Sequence, residues 1–272
     1  MDQDAFASAI RNRMLSADLA AQWAEPRRTP TRYAVIDDLL PVSMANEIAS
    51  AFPTDDTHFA MRDSFRERKR TSTRFDQLPS ILKSITFAFQ EAETASAIAT
   101  DLELPDMTGD PTLYAGGLSI MRRGDFLNPH IDNSHEASRS RYRRVNLLYY
   151  ATPGWRLENG GNLELWDDRV SRPVTIPSLF NRLVIMETNR NSWHSVSPVV
   201  VDKPRCCVSN YYFSPLSPDG SDYFHITSFS ARPEQKVRRV VAQVDAVART
   251  IAGRLGMGRG KHQRYAPIEY KG

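Results

Sequence analysis

After Pro111 the chain changes character. Short runs rich in β-formers follow one another at residues 112–121, 143–151, 161–166, 173–176, 182–187, 193–201 and 205–213. Turn residues separate them: Thr152-Pro153-Gly154, Asn159-Gly160-Gly161, Pro177-Ser178 and Lys203-Pro204. Gly and Pro at these spacings end strands because they supply special backbone angles or remove a donor. Many short strands in series cannot be buried as separate hairpins, so the pattern predicts a β-sandwich or open barrel.

The flanks read differently. Phe6, Ile10, Met14 and Leu19 recur at roughly helical spacing, which predicts an amphipathic helix over 4–24. Tyr33 to Ile36 reads as a short strand, residues 37–53 as a helical pattern stopped by Pro53, and residues 78–99 as one long helix. After Pro233 a helical spacing returns at Val237, Val240, Val241, Val244, Val247 and Ile251, followed by a basic tail. At 272 residues this is the length of one large β domain with helical additions. No repeat or low-complexity tract interrupts it.

Net charge is only +3, so composition does not argue for a nucleic-acid binder. Residues 61–74 concentrate Arg62, Arg66, Arg68, Lys69, Arg70 and Arg74. We read this stretch as a solvated face or loop; the functional alternative is a basic rim for an anionic substrate. The two cysteines, Cys206 and Cys207, are adjacent, so on a strand they point to opposite faces and do not bridge. Reduced thiols, no apolar run of about 18 residues and no secretory signal point to a soluble cytoplasmic protein without a membrane span. Oligomeric state leaves no sequence signal.

One segment carries chemistry. In Asn128-Pro129-His130-Ile131-Asp132-Asn133, a strand places His130 and Asp132 on one face. An imidazole and a carboxylate so placed are a ready pair of metal ligands, and His194, in the run SWHSVSPV, can supply a third from a facing strand. Two histidines and one carboxylate form the facial triad that leaves three positions open on Fe(II). A bidentate 2-oxo acid takes two of these and O2 the last. A lone histidine is more often structural, and the joint pattern gains weight from Arg205. It stands eleven residues after His194 at the start of the last strand, where a guanidinium fork can hold a far carboxylate.

HIDN, NLLYYATPGW, ENGGNLELW, NRLVIMETNRNSWHSVSPV and PRCCVSNYYF, in this order, resemble the Fe(II)/2-oxoglutarate oxygenases of the prolyl-hydroxylase-like superfamily over about residues 110–215. The resemblance implies a double-stranded β-helix (jelly-roll) core, mainly β, with the metal at its open mouth and helices outside one sheet. It implies one oxygenase domain over 1–272. Residues 1–110 are its helical support, 111–215 its catalytic core, and 216–272 a C-terminal helix and basic tail. Fe(II), 2-oxoglutarate and O2 are the implied cofactor and cosubstrates, and His130, Asp132 and His194 the implied ligands. By position Tyr150 matches a tyrosine that reaches the distal carboxylate of 2-oxoglutarate. Asn146, on the same strand face, either lines that pocket or is a surface amide. Ser209 shares a face with Arg205 and can bond the same carboxylate or sit as a small core residue.

The implied reaction is hydroxylation of an unactivated C–H with release of succinate and CO2. Asp132 argues against a halogenase, which carries a small residue there. The substrate expected is a small molecule or glycan; protein (prolyl-type) hydroxylation stays open. An AlkB-like nucleic-acid demethylase and a non-catalytic jelly-roll binding domain are alternatives. The first lacks its Asn-x-Tyr motif and extra arginines here, and intact ligands with Arg205 and Tyr150 disfavour the second. Ile120 and Met121 stand where many relatives carry a tyrosine. Of Arg143 and Arg144, on opposite strand faces, one can face the pocket. Trp193 can wall it, and His135 reads as a loop histidine beside it.

Overall fold

The computed structural model describes residues 2–235. The helical pattern and tail predicted beyond Pro233 lie almost wholly outside them.

Eight strands build the centre. They are β4 (Gly117–Met121), β5 (Phe126–Ile131), β6 (Tyr142–Tyr150), β7 (Leu163–Trp166), β8 (Pro173–Ile176), β9 (Arg182–Glu187), β10 (His194–Val196) and β11 (Arg205–Ser214). Two antiparallel groups form, β9-β6-β11-β4 and β5-β10-β7-β8. Successive strands alternate between the groups except at β7 and β8, which pair directly, as in a double-stranded β-helix. Three earlier strands, β1 (Tyr33–Ile36), β2 (Ala60–Asp63) and β3 (Glu67–Ser72), extend this core. β1 adds to the edge at β9. β3 pairs with both β4 and β5, so the two groups curl into one sheet. A last short strand, β12 (Ser228–Phe229), returns to β5.

Strand alternation splits the apolar residues into two cores. Leu147, Tyr149, Ile185, Val208 and Tyr212 point outward and meet the helices. Tyr150, Leu165, Val184, Met186 and Cys207 point inward, between the two groups. Cys206 and Cys207 therefore fall in different cores, both buried and free. The helices are α1 (Gln3–Met14), α2 (Leu19–Ala24), α3 (Val42–Ala51), α4 (Ser80–Ala88) and α5 (Ala92–Asp101). Phe6 and Ile10 of α1 and Leu82 and Ile85 of α4 are fully buried against the outer face. Among the described residues no helix is long and apolar enough to cross a membrane.

Several expectations change. The helix predicted over 4–24 is two helices, because Asp18 turns left-handed (φ 42°) and caps α2 through the Ala21 N–H. The helix over 78–99 breaks at Gln90, whose amide donates to Asn210 Oδ1 at 2.5 Å and accepts from the Asp110 N–H. The strand at 112–121 begins only at Gly117, since Leu113 and Ala115 take positive φ. The basic stretch 61–74 is mostly the β2–β3 hairpin, not a loop.

Candidate metal and cosubstrate site

β5 and β10 lie side by side with His130 and His194 in direct register. Their rings sit 4.1 Å apart. Asp132 follows β5 by one residue and faces the same way. One donor atom from each of the three residues falls within a 4.8 Å cluster. Asp132 Oδ1 is 3.6 Å from His130 Nε2, and Oδ2 is 3.7 Å from His194 Nε2.

Backbone carbonyls fix both rings. His130 Nδ1 lies 3.0 Å from the Asn128 carbonyl and His194 Nδ1 2.9 Å from that of Ser192. Nδ1–H donates to oxygen, which leaves each Nε2 lone pair facing the cluster. Burial, then the neighbouring His130, pushes the His194 pKa down to about 4, so the ring is neutral near pH 7. Burial opposes ionisation of Asp132, but Arg143 and the histidines outweigh it and hold the carboxyl well below the usual range. Two neutral imidazoles and one carboxylate, with Asp132 Oδ2 lacking a hydrogen-bond partner, suit a divalent iron ion.

A cavity of about 920 Å³ opens over the triad. Arg205, at the start of β11, lines it. Its Nε donates to Ser178 Oγ at 3.2 Å, and its guanidinium lies 4.8 Å over the Tyr150 ring. Among the described residues no carboxylate pairs with it, so a buried cation faces the cavity uncompensated. Gly161 makes room for it: a Cβ there would sit 2.7 Å from Arg205 Cδ. Gly161 also has φ +63°, and its carbonyl accepts from Ser178 Oγ at 2.7 Å.

Asn146 and Ser209 line the same cavity. Asn146 Nδ2 donates to Tyr211 Oη at 3.3 Å, while its Oδ1 has no partner. Tyr150 stands beneath Arg205, buried, outside the cavity lining; its hydroxyl lacks a good hydrogen bond, and burial pushes its pKa up to about 12. Trp193 and His135 are also absent from the lining.

Tyr211 was not legible beforehand, and Arg143 was so only as one of two candidates. Tyr211, on the Arg205 face of β11, brings a phenol into the cavity that Ile120 and Met121 do not. Arg143 is 1% exposed, 3.2 Å from Asp132 Oδ2 and 4.0 Å over the Tyr211 ring. Alternation gave one arginine to the cavity but did not say which. Arg144 turns outward to the Leu216 carbonyl at 3.0 Å.

Residues 116–213 match the model of the 2OG-Fe(II) oxygenase superfamily. The matched stretch takes in His130, Asp132, His194 and Arg205. The mouse prolyl 3-hydroxylase OGFOD1 is 33% identical over 89 residues, which is 30% of this chain and 16% of the mouse protein. The chain thus matches only a small part of that relative's length. A Pseudomonas putida prolyl-4-hydroxylase superposes on this chain with a TM-score of 0.53 at 16% identity, over 71% of this chain and 97% of that one. A prolyl 4-hydroxylase from Phytophthora capsici gives 0.52 at 19% identity, over 92% and 77%. These likenesses support the jelly-roll fold, and Fe(II) with 2-oxoglutarate is the pairing that gives the superfamily its name.

Proposed function

We propose that this chain is a 2-oxoglutarate-dependent hydroxylase in which His130, Asp132 and His194 hold Fe(II) and Arg205 holds the far carboxylate of 2-oxoglutarate. The observation that carries the reading is the convergence of these four residues, from β5, β10 and β11, on one cavity. When bound, iron with 2-oxoglutarate and O2 supplies oxidising power for an unactivated C–H and leaves succinate and CO2.

The protein's own residues then do the positioning. The Asn128 and Ser192 carbonyls hold each imidazole by Nδ1–H. Ser178 and Gly161 orient Arg205, whose free N–H groups suit a bidentate fork to carboxylate. Tyr150 underlies that guanidinium and backs it from outside the cavity, while Ser209 offers a hydroxyl within the cavity. Asn146 Oδ1 offers an acceptor in the same cavity. Asp132 keeps the carboxylate that a halogenase lacks, so hydroxylation is the outcome assigned.

The substrate class we assign is a small molecule or glycan that enters the cavity. The OGFOD1 match, 33% identical through part of the core, favours a prolyl residue of a protein as the second reading. Succinate formation from 2-oxoglutarate in the presence of Fe(II) tests the enzyme. His130→Ala, Asp132→Ala and His194→Ala should each abolish it; turnover surviving all three would sink the ligand assignment.

A further inference from the structure

The triad, Arg143 and Arg205 use part of the cavity's charge. Five more cations line it: Arg62, Arg66, Lys69, Arg74 and Lys83. Only two more carboxylates do, Glu67 and Asp76. The excess is local, since the whole chain carries only +3.

Strand geometry sorts these charges. On β3, Arg68 and Arg70 are absent from the lining and are matched by acids. Arg68 lies 3.4 Å from Asp125, and Arg70 pairs with Asp125 at 2.5 Å and with Asp56. Glu67, Lys69 and Thr71 alternate with them and face the cavity. There Lys69 and Arg62 share the one carboxylate of Glu67, at 3.0 and 3.8 Å. Arg74 and Lys83 are exposed and form no ion pair among the described residues. The back of the hairpin is neutralised, whereas Arg74 and Lys83 beside its cavity face are unmatched among the described residues. Unmatched cations in a concave wall focus a field that attracts anions.

We propose that this band binds the anionic part of the substrate, and that the substrate is a small molecule bearing phosphate or carboxylate groups. The proposal rests on the hydroxylase reading of the same cavity. The volume, about 920 Å³, is that of a small-molecule pocket. The cations converge on one concavity rather than tracking along a surface, as a nucleic-acid backbone would need. Thr71, Thr73 and Ser119 add hydroxyl donors to the same wall.

The test is calorimetric titration of full-length protein loaded with Mn(II) and saturated with 2-oxoglutarate, which keeps probes off Arg205. Fructose 1,6-bisphosphate and tricarballylate are the phosphate and carboxylate probes; a short oligonucleotide and polyglutamate are the polymer controls. At least one small probe should bind with Kd below about 1 mM. The Arg74→Ala/Lys83→Ala double variant should weaken it about tenfold or more, since charge-assisted contacts are lost. Its Kd for 2-oxoglutarate should match wild type. Which small probe binds names the anion. Binding of neither, binding untouched by the double variant, or binding of the polymers alone would overturn the proposal. Failure of wild-type protein to bind 2-oxoglutarate would instead overturn the hydroxylase reading.

Discussion

A buried imidazole is a useful ligand only if its proton is on the right nitrogen. The Asn128 and Ser192 carbonyls settle that at His130 and His194, and they do so without a metal. The cost appears in acid. The unfolded chain protonates His194 near the ordinary value of 6.5, whereas burial and His130 delay protonation in the folded protein to about 4. Stability is therefore full above pH 6.5 and is lost as pH falls towards 4. His135 and His225, also lowered by burial, act in the same direction. Metal-free protein should lose thermal stability between pH 7 and 5, and His194→Gln should flatten part of that slope; an unchanged slope would contradict the His194 assignment. Gly161 gives a second prediction at this scale. A methyl group there meets Arg205 Cδ at 2.7 Å, and the backbone sits at positive φ. Gly161→Ala should raise the 2-oxoglutarate requirement about tenfold, by moving the carboxylate fork. Steady-state kinetics against 2-oxoglutarate would show it.

At the scale of elements, the site depends on strand register. A one-residue slip of β10 would turn His194 away from His130. β10 is short, and its neighbours hold it. Ser195, next to His194, donates to Glu164 Oε2 on β7 at 2.6 Å. Arg232 binds the same carboxylate at 2.5 Å, with both side chains nearly buried. Removing one partner leaves a buried charge, so Arg232→Ala should cost about 3 kcal/mol in urea unfolding. Glu164 and Arg232 lie 68 residues apart, and no local pattern announces such a pair. That is why this support was not legible in the sequence. Strand positions were legible where β-forming residues run between turn residues, as in Tyr33–Ile36 and Arg205–Ser214. The helix breaks at Asp18 and Gln90 were not, because the apolar spacing continues across both. There a left-handed cap and a long-range amide contact override the periodicity.

For the whole molecule, the jelly-roll was readable because motif order, not any single residue, specifies it. Residues 1–110 pack α1, α3, α4 and α5 on the outer face. They also send β1 to one sheet edge and β3 between the two strand groups. β3 explains why the basic stretch 61–74 is more than a solvated face: curling the sheet brings Lys69 into the cavity wall. Arg143 reached the cavity through a bulge at Tyr212/Phe213 in the β6–β11 pairing, which a sequence period cannot foresee. The central claim joins metal and cosubstrate in one site, and metal-dependent binding of 2-oxoglutarate tests it most directly. Titrated without O2, wild-type protein should bind one 2-oxoglutarate only when Fe(II) is present. His194→Ala should lose that binding, and Arg205→Ala should weaken it between about 10- and 100-fold, the loss expected for a charge-assisted pair. Binding that ignores the metal, or an Arg205→Ala affinity equal to wild type, would contradict the account.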